Sequence, residues 1–240
     1  MPRIARRLPA ALARSLRRLP GALVLAALAA LPPVPATAHP HIFIDTGLEI
    51  VFDEAGRLAA VQVVWVYDEF YTMLALDDYG MDPDFTGTVT EAERSELAAI
   101  YSNWDADYDG DLRPLLDGAP LALSGPERVR ADVQEGRLVI AHARRFADRP
   151  EIGEGELVVR VYDPTYFTAY TIAVAPAIRG RDDCAAEVWG PDWEAANDRL
   201  LAALEELSGA GMDEWEIEQD FPAVGADFAE EVRLKCAGPS

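Results

Sequence analysis

Two neighbouring stretches of the chain alternate between apolar and polar residues. Residues 42–52 alternate and lead into the turn Asp53-Glu54-Ala55-Gly56, and residues 58–67 are rich in Val and aromatic side chains. Period-two alternation is typical of half-buried strands, and two such runs joined by a short Gly-containing turn predict a β-hairpin. Further strand patterns occur at residues 121–123, 128–133, 137–146, 157–162, 167–174 and 226–236.

Helical patterns interrupt these strands. Apolar residues recur at roughly helical spacing over 68–80 and more clearly over 90–104, where Thr90 and Glu93 have the spacing of a capping box. A later helix is predicted over 193–207. The chain is therefore expected to adopt an α+β fold: an antiparallel, β-rich, sandwich-like domain with a helical hairpin inserted after the second strand and a late C-terminal helix.

The first 38 residues have a different composition from the rest. They contain six arginines and no acid, then ten apolar residues at 22–31 and a small-residue A-x-A site. These are the three regions of a secretory signal peptide, and the apolar run is too short to span a bilayer, which takes about 20 residues. We predict a signal peptide at 1–38, cleavage between Ala38 and His39, and a single periplasmic domain at 39–240 without stable membrane insertion. An amphipathic start to the domain is the alternative, which nearby prolines disfavour.

The charge of the chain excludes some partners. It has 42 acidic and 21 basic side chains, a net charge of −21, and removing six arginines with the signal peptide leaves 15 basic residues and a net charge of −27. Nucleic acid and anionic lipid are bound through Lys and Arg, so neither is an expected partner. Half of the residues are hydrophobic, so a packed core is expected. An acidic surface is compatible with cations as ligands.

Two cysteines, Cys184 and Cys236, are present. In an oxidising compartment such a pair is most simply a disulfide. Two free thiols or a thiolate metal site are the alternatives, although neither cysteine has a second Cys or a His beside it.

Cleavage after Ala38 would expose the segment His39-Pro40-His41. An N-terminal His39 offers its α-amine and its imidazole to one metal ion, and His41 adds a second imidazole; these nitrogen donors suit Zn, Cu and Ni better than Ca or Mg. Pro40 lacks the amide N–H that a square-planar amino-terminal Cu or Ni motif requires. We predict that His39 and His41 bind a transition metal, the alternative being a passive, solvated terminus. The third histidine, His142, is interpreted as a buried or edge residue of a strand.

A loop resembling an EF-hand lies inside the predicted helical insertion at 68–104. Counted from Asp82, oxygen-bearing side chains occupy positions 1, 3, 5 and 9, Gly is at 6 and Glu at 12. The candidate calcium ligands are Asp82, Asp84, Thr86, Thr88 through its carbonyl, and Glu93. Thr at position 5 leaves three carboxylates, so Ca should bind no tighter than a Kd of about 10⁻⁴ M. A degenerate loop without an ion is the alternative. The nearby segment 105–111 lacks the final acid and is interpreted as a solvated acidic turn.

Several motifs together resemble one family. HPHIFID after the cleavage site, VWVYDEFYT, the EF-hand-like segment, YDPTYF and the paired late cysteine are similar to the domain of unknown function 1007 family over residues 39–236. The resemblance implies a periplasmic component of an uncharacterised transport system. One branch, the ZevA-like proteins, accompanies a permease of the nickel/cobalt class and assists zinc uptake. Asp163 of YDPTYF matches a family motif, and from the residues alone it is interpreted as part of a turn.

The leading hypothesis is a periplasmic metal-binding or accessory protein, not an enzyme, of a Zn, Ni or Co transport system. The resemblance implies an inner-membrane permease of the nickel/cobalt class as its partner. One alternative is a histidine-brace copper enzyme, which requires His142 to face His39. The other is a calcium-stabilised structural module without a transition-metal role.

Overall fold

The first two strands form the predicted hairpin. A computed structural model describes residues 39–84, 86–105 and 107–237; the predicted signal peptide at 1–38 and its cleavage site after Ala38 lie outside the described residues. Strand β1 (Ile42–Phe52) buries every second side chain from Ile44 onward and pairs antiparallel with β2 (Leu58–Tyr67). In the connecting turn, the Asp53 carboxylate accepts hydrogen bonds from two backbone amides, which satisfies donors that the tight turn leaves unpaired.

This hairpin is the centre of the first sheet, which has the order β5-β6-β2-β1-β8. All neighbours are antiparallel except at β1, which pairs in parallel with β8 and, further along, with the short strand β9. The added strands are β5 (Glu127–Gln134), β6 (Arg137–Arg145), β8 (Thr168–Ile172) and β9 (Ala177–Arg179).

The second sheet is fully antiparallel, with the order β10-β11-β7-β3-β4. Its strands are β3 (Leu112–Leu116), β4 (Ala119–Pro120), β7 (Glu156–Val161), β10 (Cys184–Trp189) and β11 (Glu230–Cys236). Buried side chains of both sheets, such as Val61 and Ile140 from the first and Val159 and Val232 from the second, meet in one hydrophobic cluster. The predicted β-rich, sandwich-like α+β architecture is confirmed.

Four α-helices accompany the sheets in the described part of the chain: α1 (Glu69–Asp78), α2 (Glu91–Ile100), α3 (Trp193–Gly209) and α4 (Glu214–Gln219). The first two form the helical insertion expected after the second strand, and Thr90 with Glu93 makes the expected capping box. Helix α3 is the expected late helix, and α4 was not predicted. None of the described helices is long and apolar enough to cross a membrane.

Two expectations about local structure are wrong. The strand predicted at 121–123 lies just outside β4, and only Leu123 forms an isolated bridge, because the chain pairs with β3 two residues earlier.

The segment 105–111 is not simply a solvated turn. Asp111 is 8 % exposed, and its carboxylate accepts hydrogen bonds from the hydroxyls of Tyr170 (2.8 Å) and Tyr108 (3.3 Å). Burial raises the pKa of Asp111 to about 6.

The disulfide is confirmed. Cys184 and Cys236 are directly paired residues of β10 and β11, and they are bonded to each other. The bond closes a loop across 52 positions of sequence and holds the edge strand β10, all of whose side chains are half-buried or exposed.

We predict that replacing both cysteines with Ser lowers the free energy of unfolding by about 2–4 kcal/mol, because the unfolded chain regains the entropy of the open loop. Urea unfolding of the oxidised protein, the reduced protein and the double variant measures this. The last two should unfold together. A double variant as stable as the oxidised protein would contradict the prediction.

We also predict that ionisation of Asp111 lowers the free energy of unfolding as the pH rises. Its pKa is raised in the folded state, so the protonated form is favoured by folding, and this stabilisation is present below about pH 4 and lost as the pH rises through about 6. Relative to Asp111→Asn, the native protein should lose roughly 2–3 kcal/mol of unfolding free energy between pH 4 and 7. Urea unfolding against pH measures it. The exposed Asp107→Asn is the control, and parallel curves for the native protein and Asp111→Asn would refute the prediction.

Candidate metal centre

Both predicted histidines lie in the segment that enters β1. The backbone amide of His41 donates to the carbonyl of Phe167 at 2.8 Å, and the parallel pairing of β1 with β8 begins at the next residue, with Ile42 opposite Thr168. The segment is therefore fixed along the start of β8. The His39 side chain is only 2 % exposed and that of His41 is 37 % exposed, so His39 does not have the solvated environment of a passive terminus.

A carboxylate from the other end of the sequence faces both imidazoles. Nε2 of His41 lies 2.9 Å from Oε1 of Glu218, and Nδ1 of His39 lies 3.6 Å from Oε2 of the same residue. One donor atom from each of the three residues lies within 4.8 Å of the others. Ligands about 2.1 Å from a tetrahedral zinc ion would be about 3.4 Å apart, so the three donors would have to move closer together to share an ion.

Glu218 comes from helix α4, which the sequence analysis missed. Asp213 and Glu216 form a capping box at the start of this helix, with two backbone-to-carboxylate hydrogen bonds of 2.9 Å. The D-x-x-E spacing was the one signal in the sequence that could have revealed it. The helix has six residues and buries none of them, so it lacks the apolar stripe that usually identifies a helix.

Two phenylalanines enclose His39. The ring of Phe221 stacks on its imidazole with 3.7 Å between centroids, and Phe167 makes an edge contact at 5.6 Å. Phe167 also lies 4.7 Å from the His41 ring. The aromatic contacts hold the first imidazole in place without occupying its nitrogens, and they border an open cavity of about 420 Å³ beside Glu218.

The electrostatics of His39 favour an available nitrogen lone pair. Burial lowers its pKa, an effect partly opposed by the negative charges of Glu218 and Asp163. The imidazole is therefore neutral at pH 7, as metal ligation requires. Its Nδ1 is buried and lies too far from Glu218 for a hydrogen bond, so this nitrogen has no hydrogen-bond partner among the described residues. A buried polar atom without a partner is costly unless a ligand or an ion satisfies it.

The YDPTYF motif forms a turn beside this site. Asp163 accepts hydrogen bonds from the backbone amides of Thr165 (2.9 Å) and Thr168 (3.0 Å), which confirms its interpretation as a turn residue. Gly225 packs directly against the Asp163 carbonyl, where any side chain would collide with the turn. The turn ends at Phe167, so Asp163 helps to place that ring, and its negative charge also acts on the pKa of His39.

The EF-hand-like loop uses its acids for local hydrogen bonds. Asp82 accepts from the amides of Thr86 and Gly87 at 2.8 and 2.7 Å, while Glu93 turns back to the amide and hydroxyl of Thr90. The pKa of Glu93 is lowered mainly by the hydrogen bond from that amide. Calcium binding by Asp82, Asp84, Thr86, Thr88 and Glu93 stays a prediction.

His142 has a separate environment. It is 5 % exposed and packs between Trp65 and Trp104, at centroid distances of 4.6 and 5.3 Å, and burial lowers its pKa to about 4. It is not one of the three clustered donors. The interpretation as a buried strand histidine is confirmed, and the cluster does not contain His142, the histidine on which the brace hypothesis depends.

The fold and the site define an α+β protein with a histidine–carboxylate cluster at the entry to its first strand. The sequence matches the profile of a protein family described as "Protein of unknown function (DUF1007)" over residues 24–236. The chain belongs to this family, as its motifs indicated. A search among curated proteins finds no match.

We predict that Glu218→Gln weakens zinc binding by at least about tenfold, because a neutral amide replaces the one carboxylate in the cluster. Competition with a chromophoric chelator measures the affinity. Glu214→Gln removes the same charge from an exposed position of the same helix and should leave the affinity unchanged. Equal losses of zinc affinity in the two variants would show that zinc binding depends on the net charge of the protein and not on the position of Glu218.

Proposed function

We propose that this protein binds a transition-metal ion in the periplasm as an accessory component of a Zn, Ni or Co transport system. The cluster of His39, His41 and Glu218 carries the proposal, and above all the buried, unpartnered Nδ1 of His39. Two imidazoles and one carboxylate form a donor set that Zn, Ni and Co accept readily and that Ca and Mg do not favour.

The location rests on two observations. The first 38 residues have the three regions of a signal peptide, and the chain contains a disulfide, which is typical of oxidising compartments. Cleavage after Ala38 would place the α-amine of His39 next to its imidazole, giving a fourth donor for the same ion. In this proposal the signal peptidase completes the metal site.

A binding role fits the design of the site better than a catalytic one. The ion is cargo, held by two donors on the sheet and one donor on a short surface helix. A surface helix without buried residues can move away at a low cost, which suits release to a partner. From the family resemblance we propose that this partner is an inner-membrane permease of the nickel/cobalt class, which the protein would accompany as the ZevA-like proteins do in zinc uptake.

The test compares a protein that begins at His39 with one that retains Ala38 in front of it. We expect both to bind zinc, and the processed form to bind at least about tenfold more tightly because it has the additional amine donor. Isothermal titration with Zn, Ni, Co, Cu and Ca gives the affinities and the order of preference.

Replacing His39 and His41 together with Ala is the decisive variant. Zinc affinity should fall by about 100-fold or more, while far-UV circular dichroism stays unchanged. His142→Gln removes the third histidine and should leave zinc binding intact. Tight zinc binding by the double variant would disprove the proposed site.

A further inference from the structure

A second cleft, which shares no lining residue with the cavity at the metal centre, lies beside strand β3. Its volume is about 940 Å³, within the size range of ligand sites. Its wall combines aromatic rings with guanidinium groups: Trp104, Tyr108, Arg113, Arg144, Arg160 and Tyr162.

Arg144 is the unusual residue of this cleft. It is 4 % exposed, and its guanidinium carbon lies 4.9 Å from the centroid of the Trp104 ring. Its Nε donates to the carbonyl of Ser124, and one terminal nitrogen donates to the carbonyl of Asp109 at 2.7 Å. No carboxylate of the described residues lies within ion-pair distance of it. A buried cation normally has an ion-pair partner, whereas Arg144 has two backbone carbonyls and, further away, the charge of Asp109, which is itself paired with Arg113.

The other two arginines of the cleft have their partners. Arg113 lies 2.9 Å from a carboxylate oxygen of Asp109, and Arg160 lies 3.1 Å from one of Glu231. Both guanidinium groups also contact the Tyr162 ring. The unpaired positive charge is thus concentrated at Arg144.

The exposed edge of the cleft has the opposite charge. Asp105 and Asp107 line it, both are exposed, and neither side chain forms a hydrogen bond or an ion pair with another described residue. The cleft therefore offers a free cation in its buried part and two free anions at its edge.

We propose that this cleft binds a zwitterion, namely a free amino acid or a short peptide with a basic group. Its carboxylate pairs with the planar guanidinium of Arg144, a geometry that Arg accepts through two parallel hydrogen bonds. Its ammonium or basic side chain faces Asp105 and Asp107, and its apolar part lies against Trp104. The acidic edge disfavours ligands with several negative charges, such as phosphates.

The test titrates the purified protein with three dipeptides, using calorimetry and tryptophan fluorescence. Gly-Lys should bind with a Kd below about 1 mM. Gly-lysinamide, which lacks the carboxylate, and Gly-Glu, which carries a negative side chain, should each bind at least about tenfold more weakly. Equal binding of all three, or no binding of Gly-Lys, would overturn the proposal.

Two variants locate the binding. Arg144→Gln removes the buried charge, and Leu115→Trp places a larger side chain in the lining of the cleft and leaves Arg144 in the sequence; each should weaken Gly-Lys binding at least about tenfold. Arg130→Gln makes the same charge change on an exposed residue of β5 and should have no effect. If Arg144→Gln does not fold, Leu115→Trp decides, and unchanged binding in that variant would refute this location.

Discussion

The parallel pairing of β1 with β8 is the constraint on which the candidate site depends. Most strands here pair antiparallel with a neighbour, but β1 has β2 on one side and the two parallel strands β8 and β9 on the other. The register of β1 is set by the alternating side chains that it buries, and a shift by one residue would turn all of them to the wrong face. Because the two histidines precede this strand directly, the hydrophobic core determines where their imidazoles lie.

The sequence predicted those parts of the fold where pattern and burial agree. The β1–β2 hairpin, the helical insertion with its Thr90 cap and the late helix α3 all have either a regular apolar period or a recognisable start signal. Strand β10 has neither, because it is mostly exposed, and helix α4 has only its D-x-x-E start signal without an apolar period, because it buries nothing. The candidate site was predictable to the same extent. Two of its donors come just before β1, whose alternation is regular, whereas Glu218 lies on α4, which has no apolar period, 177 residues from His41.

The many acidic residues of the chain have different local roles. Asp82 and Glu93 organise a loop and a helix start, Asp163 forms a turn, and Glu218 faces two imidazoles. Asp111 is enclosed among tyrosines, where burial raises its pKa. Net charge in the sequence analysis did not distinguish a carboxylate that satisfies backbone amides from one available to a ligand. That distinction depends on hydrogen-bond partners, which only the three-dimensional arrangement provides.

The three clustered donors lie on segments of different local stability. The two histidines belong to a segment bonded into a sheet, whereas Glu218 belongs to a six-residue helix without a buried side chain. For an ion held there, local opening of this helix removes one donor while the other two stay in place. The residence time of the ion would then follow the local opening free energy of α4, so substitutions in that helix can change the dissociation rate while the identity of the donor atoms stays the same.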